Sequence, residues 1–347
     1  MKIEGMVNVT LTVVDSALST GAVCLDGSAP GFYYDMGYGE GANNWVIFFE
    51  GGGWCKNGED CKNRATQRLG SSKNMYPMIS LNDMLSENAT ENPDLFNWHR
   101  VHVAYCDGSS YTSDVEAVDP ATGGTYRGAR IFDALMTYFQ SQGMKDAKNA
   151  ILAGNSAGGL ATMIHCDRFR ALFPSTTRVK CLADSAYFIN DDQFQGDKIF
   201  QSSFDFLVNS MGSAKSLPQE CTSKMLPSLC FFPQNIIQYV KTPIFIVMSA
   251  FDQIQLRYGL SQQPYEQCAI HNNCSPTELK TIQDLRMHFL NLLPKGDSQS
   301  IGIWVPNCTY AEVFGDWYFD RATSPIRAID KSDKPIDCTA YGQHPRL

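Results

Sequence analysis

The chain has 347 residues, 44% of them hydrophobic and 18% charged, so it is long enough to bury a large core. Its formal net charge is −8 and it contains no basic run. A nucleic-acid partner is therefore disfavoured, because such binding depends on clustered Lys and Arg. No stretch approaches the roughly 20 apolar residues of a membrane span.

Strand-like and helix-like segments alternate along the chain. The predicted strands are Trp45–Phe49, Val101–Cys106, Ala150–Ala153, Val179–Ala183 and Ile244–Met248. Helical spacing predicts a helix from Arg130 to Gln140 with Ile131, Leu135 and Phe139 on one face, and another from Gly158 to about Leu172. A further helical run covers Leu279 to Leu293, and the short helical stretches of residues 190–240 suit a lid or insertion. We predict one α/β domain over residues 1–347, with a mainly parallel sheet covered by helices on both faces.

The cysteines and glycosylation sequons favour a secreted, disulfide-stapled protein. There are 12 cysteines, and the pairs close enough to bridge are Cys55–Cys61, Cys221–Cys230 and Cys268–Cys274, with Cys166–Cys181 also possible. Sequons begin at Asn8, Asn88, Asn273 and Asn307. The first seven residues contain Lys2 and Glu4 and form no apolar signal core. We expect either that a signal has been removed or that the sequence is incomplete at its start.

Gly154-Asn155-Ser156-Ala157-Gly158 is the most informative motif. An apolar strand leads into it and a helix follows, which is the pattern of a nucleophile elbow in an α/β-hydrolase. The small flanking residues allow the strand and helix to pack closely around the turn. A glycine-rich turn without chemistry is the alternative interpretation.

Two further segments follow strands in the order that an α/β-hydrolase requires. Asp252 comes after the strand Ile244–Met248 and is a candidate to orient a catalytic base, with a helix N-cap as the alternative interpretation. The glycine run Gly51–Gly53 follows the strand Trp45–Phe49, where an oxyanion hole is expected. Gly53, Trp54 and Ala157 are the candidate N–H donors.

The chain resembles the plant pectin acetylesterases, a carbohydrate esterase family that includes the Notum carboxylesterases. The matching segments are Ala22–Ser28, Phe49–Cys55, Cys106–Ser110, Asn155–Leu160, Leu229–Gln234 and Gly315–Arg321. The resemblance covers nearly the whole chain. It implies that Ser156 is the nucleophile and Asp252 the orienting acid, that no metal or cofactor takes part, and that acetylated pectin of the cell wall is the substrate.

The family's catalytic histidine is missing from its expected place. The family pattern puts it three residues after a cysteine, but the residue three after Cys308 is Ala311. A point change at Ala311 and the loss of a histidine-bearing segment are both open. We favour the lost segment, since relatives also carry a longer stretch before the Gly-Asp-Trp motif.

None of the six histidines of the sequence is an obvious replacement. His165 lies nine positions after Ser156 on one predicted helix, which is about 13 Å along its axis. The others are His99, His102, His271, His288 and His344. Three hypotheses follow: an acetylesterase with an impaired triad, a non-catalytic polysaccharide-binding protein, and a Notum-like hydrolase of a lipidated protein.

Overall fold

The computed structural model describes residues 8–190, 198–260, 273–294, 299–303, 310–321 and 327–329. Ten strands within these ranges form one sheet. They are β1 (Asn8–Val13), β2 (Gly31–Asp35), β3 (Asn44–Phe49), β4 (Met78–Ser80), β5 (His99–Val103), β6 (Asn149–Asn155), β7 (Arg178–Asp184), β8 (Ile244–Met248), β9 (Gln299–Ile303) and β10 (Arg327–Ile329).

The sheet is parallel over most of its width and antiparallel at one side. Its order is β10-β9-β8-β7-β6-β3-β5-β2-β1-β4, and every pair from β10 to β5 is parallel. The pairs β5–β2, β2–β1 and β1–β4 are antiparallel. The α/β fold with a mainly parallel sheet is therefore confirmed, whereas the antiparallel side was not predicted. The single domain over residues 1–347 stays a prediction.

The described helices are α1 (Gly58–Ala65), α2 (Gly128–Ser141), α3 (Ala157–Arg170), α4 (Ile199–Asn209), α5 (Gln219–Thr222), α6 (Pro233–Ile236), α7 (Gln253–Gly259), α8 (Pro276–Leu292) and α9 (Tyr310–Tyr318). The predicted apolar face of α2 is confirmed, because Ile131, Leu135 and Phe139 are all buried. Eleven of the fourteen residues of α3 are buried, which suits a helix lying directly on the sheet. No described helix has both the length and the apolar character needed to cross a membrane.

The chain between β7 and β8 packs its aromatic residues onto the glycine-rich loop after β3. Phe204 of α4 contacts the rings of Phe231 and Phe232, with ring centres 5.1 and 4.8 Å away. The Trp54 ring meets Phe204 edge-on at 5.1 Å. The short helices predicted for this insertion are present in its described part, and they cover the loop that carries Trp54.

Four disulfides lie within the described chain. Cys55–Cys61, Cys166–Cys181 and Cys221–Cys230 confirm the local predictions. Cys24–Cys106 was not predicted, because its cysteines are 82 residues apart and only the fold brings them together. Cys274 is disulfide-bonded, and its expected partner Cys268 lies outside the described residues.

The segment Gly315–Arg321 contains the end of α9 and packs against the sheet. A Cβ on Gly315 would lie 1.9 Å from Asp94 Oδ2, so a larger residue there would displace the Asp94 carboxylate. Arg321 pairs with Asp94, and Lys180 Nζ bonds to Asp320 Oδ1 at 2.6 Å. This family-like segment is thus anchored by specific contacts to the loop before β5 and to β7.

Candidate active site

Ser156 occupies the tight turn between β6 and α3. Its backbone has φ 53° and ψ −119°, a conformation that residues other than glycine rarely adopt. Its N–H donates to the Asp184 carbonyl at 2.9 Å, and its carbonyl accepts from Leu160 N at 3.0 Å. The backbone therefore makes the strand-to-helix turn expected at this serine.

The flanking glycines allow three backbone segments to meet at this turn. A Cβ on Gly158 would lie 2.1 Å from the carbonyl oxygen of Phe49, and one on Gly51 would lie 2.6 Å from that of Asn155. The glycine loop after β3 is therefore packed directly against the turn that holds Ser156.

Two side chains bind the carbonyl oxygens of Gly52 and Gly53. Arg64 Nη1 donates to Gly52 O at 2.9 Å, and the Tyr105 hydroxyl donates to Gly53 O at 2.9 Å. In a trans peptide unit the C=O and N–H point in opposite directions. These two bonds therefore orient the N–H groups of Gly53 and Trp54.

The N–H groups of Gly53, Trp54 and Ala157 donate to no other group in the described part of the chain. Ala157 opens α3, where the first helical N–H groups have no partner within the helix. Gly52 and Gly53 adopt φ of 143° and 68°, which favour glycine. Three donors are thus available around Ser156 for an oxygen that gains negative charge.

Buried side chains lock the glycine loop to the serine turn. Trp54 Nε1 donates to Ser110 Oγ at 2.7 Å, and that hydroxyl donates to Ala157 O at 2.7 Å. Ser110 N donates to the Tyr105 hydroxyl at 2.9 Å, and Tyr105 N donates to Glu50 Oε2 at 2.9 Å. This connected network fixes the three N–H donors relative to one another.

Asp252 lies at the carboxyl end of β8, two strands away from Ser156 in the sheet. Its Oδ1 accepts from Gln255 N at 2.8 Å, so the helix-capping interpretation is confirmed. Burial, with a smaller contribution from the nearby Asp184 carboxylate, raises the pKa of Asp252 to about 6. The raised pKa marks a carboxylate whose charge is poorly compensated by the described residues.

A cleft of about 360 Å³ opens beside Ser156, near the lower end of the usual range for ligand pockets. Its lining residues are Gly52, Gly53, Trp54, Lys56, Asp60, Asn63, Arg64, Gln67, Ser156, Phe188, Ile199, Phe200, Ser203 and Ile254. Of the predicted site residues, Ser156, Gly53 and Trp54 meet at this cleft. Ala157 and Asp252 do not line it. The described residues contain no cluster of three or more potential metal ligands.

Three of the described histidines lie too far from Ser156 to act as its base. His165 is buried on α3, its Nε2 lies 2.8 Å from Tyr111 O, and burial lowers its pKa to about 3. His102 is on β5, separated from β6 by β3 and so by about 10 Å across the sheet. His99 stacks on Trp45 near the start of the parallel strands, about 20 Å along the strand direction from Ser156.

The remaining histidines are His271, His288 and His344. His288 lies on α8 and is partly exposed. His271 and His344 lie outside the described residues. The backbone of Ala311 lies in α9, one residue after the helix begins.

Comparison with known sequences assigns the family. The profile of the pectinacetylesterase family matches residues 3–328. The chain belongs to this family. It is 43% identical to pectin acetylesterase 7 of Arabidopsis thaliana, over 86% of this chain and 79% of that protein.

The family match extends to a second plant enzyme and to an animal branch. Identity to pectin acetylesterase 11 of Arabidopsis thaliana is 37% over 368 positions, which cover 97% of this chain and 92% of that protein. Identity to the palmitoleoyl-protein carboxylesterase Notum of Mus musculus is 29%, over 72% of this chain and 52% of that protein. The relatives are carboxylesterases, which supports an esterase function for this family member.

Sequence reasoning missed the side chains that hold the glycine loop of this family member. Arg64 and Tyr105 reach the loop across 12 and 52 residues of chain, respectively. Bonds from side chains to distant carbonyls leave no periodic pattern, so the sequence carries no signal for them. Ser110 did lie within a segment that matches the family, but its link to Ala157 was visible only in the fold.

Proposed function

We propose that the chain is a serine carboxylesterase that removes acetyl groups from pectin. Ser156 is the nucleophile and Asp252 the acid that orients the base. The observation that carries this proposal is the convergence of Ser156 with the oriented N–H groups of Gly53 and Trp54 on one cleft. Membership of the pectinacetylesterase family supports the choice of substrate.

The proposed reaction follows acyl transfer in two steps. Ser156 Oγ attacks the acetyl carbonyl, and its proton passes to a base. The carbonyl oxygen becomes an oxyanion that accepts from the N–H groups of Gly53, Trp54 and Ala157. The C–O bond to the sugar breaks, the sugar oxygen takes the proton, and water then hydrolyses the acetyl-serine to acetate.

We propose that the base of this reaction is missing from the chain, because Ala311 stands where the family pattern expects the histidine. We infer that this chain lacks a segment that carries the histidine in relatives. The 97% of this chain aligned with pectin acetylesterase 11 amounts to about 337 residues, so about 30 of the 368 aligned positions have no counterpart here. In a serine-protease triad, loss of the histidine costs on the order of 10⁶ in kcat. We therefore expect very slow turnover.

A non-catalytic polysaccharide-binding role is the second candidate. It is favoured by the combination of an intact cleft with Ala at position 311. A Notum-like action on a lipidated protein is supported by the apolar side of the cleft, formed by Phe188, Ile199, Phe200 and Ile254. The polar side and the modest volume of the cleft fit a short acetyl group better than a long acyl chain.

We also propose an extracellular, cell-wall location. The four described disulfides suit an oxidising compartment. The sequon asparagines Asn8 and Asn273 are exposed, and Asn88 is partly exposed. Glycosylation at these sites is a prediction that mass spectrometry of the secreted protein would check.

The proposal is tested by acetate release from an acetylated oligogalacturonate. We expect the chain and its Ser156→Ala variant to differ by less than tenfold, since the base is missing. An Ala311→His variant distinguishes the two origins of the gap. Unchanged activity is expected for a lost segment, whereas a gain of 10² or more that disappears on adding Ser156→Ala would identify a point change.

A further inference from the structure

The cleft beside Ser156 has one polar side, formed by the loop that follows Trp54 and by α1. Lys56, Asp60, Asn63, Arg64 and Gln67 all lie on this side. Two cationic groups there face one carboxylate, although the chain as a whole has a net charge of −8. The charged residues that line the cleft therefore sum to one positive charge, in contrast to the acidic chain as a whole, which matters for an anionic ligand.

The two cations are not equivalent. The Arg64 guanidinium is already bound to the Gly52 carbonyl and has an internal role in the glycine loop. The Lys56 side chain is exposed, and its ammonium group forms no ion pair with any residue that the structure describes. Lys56 is thus the cation that is available to a ligand in the cleft.

The backbone that carries Lys56 is fixed on both sides. Cys55 forms a disulfide with Cys61 of α1, and Cys55 N donates to Gly108 O at 2.9 Å. Lys56 N donates to Asp60 Oδ2 at 3.1 Å. A fixed backbone lowers the entropic cost of holding the ammonium group near a bound anion.

We propose that Lys56 binds the carboxylate of a uronic acid residue and thereby makes the cleft selective for acidic over neutral polysaccharides. This inference rests on the proposed function, because it assumes that the acetyl ester lies at Ser156. The exposed amides of Asn63 and Gln67 on the same side are available to sugar hydroxyl groups. A neutral acetylated glycan or a lipid acyl chain offers no group for Lys56.

The test is direct binding, which does not require turnover. A short oligogalacturonate without acetyl groups and its fully methyl-esterified form are titrated into the full chain by calorimetry. A partly exposed ion pair corresponds to about a fivefold change in Kd. We expect Lys56→Gln to weaken binding of the acidic oligomer about fivefold and to leave the methyl ester unchanged.

Lys62→Gln is the matched control. Lys62 is an exposed lysine of α1 that does not line the cleft, so this substitution makes the same change in net charge. We expect it to leave both dissociation constants unchanged. Equal binding of the acidic and methyl-esterified oligomers, equal losses in the two lysine variants, or no binding of either oligomer to the folded chain would each overturn the inference.

These outcomes separate the inference from the proposed esterase function. Binding that depends on Lys56, together with acetate release that Ser156 does not influence under any condition, would contradict the esterase and keep the carboxylate site. Acetate release that depends on Ser156, together with equal affinity for acidic and neutral oligomers, would support the esterase and contradict the carboxylate site.

Discussion

Replacing Asp252 by Asn should make the protein more stable at neutral pH. Burial raises the pKa of this carboxyl to about 6, compared with about 4 in an unfolded chain. The folded state therefore binds a proton more tightly than the unfolded state. The protonated Asp252 carboxyl therefore contributes to the stability of the folded state below pH 4, and this contribution is lost as the pH rises through 6. Asn carries no charge and caps a helix about as well as Asp, so α7 keeps its cap.

The magnitude follows from the size of the shift. A difference of about two pKa units corresponds to at most about 3 kcal/mol between pH 4 and pH 7, at about 1.4 kcal/mol per unit. The assay is urea unfolding of both proteins, with disulfides intact, at unit steps from pH 4 to pH 8. The stability of Asp252→Asn relative to the unmodified chain should rise with pH and level off above pH 6.

The reasoning would be refuted by a difference in unfolding free energy that stays constant across this range. A relative stability that falls with rising pH would contradict it more strongly. That result would mean that the Asp252 carboxylate is stabilised by a cation, such as a histidine outside the described residues.

Three other predictions concern the glycine loop and the covalent frame. Tyr105→Phe removes the hydroxyl bound to Gly53 O. It should lower about tenfold, with KM unchanged, the kcat of the Ser156-dependent acetate release that added imidazole restores. An equal rise in KM would contradict a positioning role. Gly51→Ala places a Cβ against the serine turn and should lower Tm more than Gly39→Ala does, because the Cβ at Gly39 meets open space and only the left-handed backbone (φ 56°) there costs about 1–2 kcal/mol. Replacing both cysteines of Cys24–Cys106 by Ser should cost about 4.5 kcal/mol by chain entropy, because the bridge spans 82 residues, and a loss below 1 kcal/mol in chemical unfolding would refute that estimate.

The apolar strands of the sheet were predictable, and the more polar ones were not. Ile244–Met248 was predicted with the bounds that the structure has, since five consecutive apolar residues suit a strand buried on both faces. The strand predicted at Val101–Cys106 instead runs from His99 to Val103. Arg100, opposite Asp35 on β2, is fully buried there through its ion pair with that residue. A charged residue within a strand interrupts the apolar pattern from which the bounds of the strand are predicted.

The candidate site was predictable where chemistry depends on a local motif. Ser156, Gly53 and Trp54 each follow a strand of a parallel sheet, so the sequence places them at the same, carboxyl end of the sheet. Arg64 and Tyr105 were not predictable, because their role arises from contacts with backbone carbonyls made by the tertiary fold. The same holds for Asp184, whose charge raises the pKa of Asp252.

Chemical rescue tests the central claim most directly. Acetate release from an acetylated oligogalacturonate is measured with and without added imidazole, for the chain and for Ser156→Ala. The account predicts little release without imidazole, and with imidazole a rise of at least tenfold in the chain that is absent in Ser156→Ala. Release at an ordinary enzymatic rate of about 1 s⁻¹ or more without imidazole, dependent on Ser156, would contradict the missing base. An equal response of both proteins to imidazole would contradict the role of Ser156.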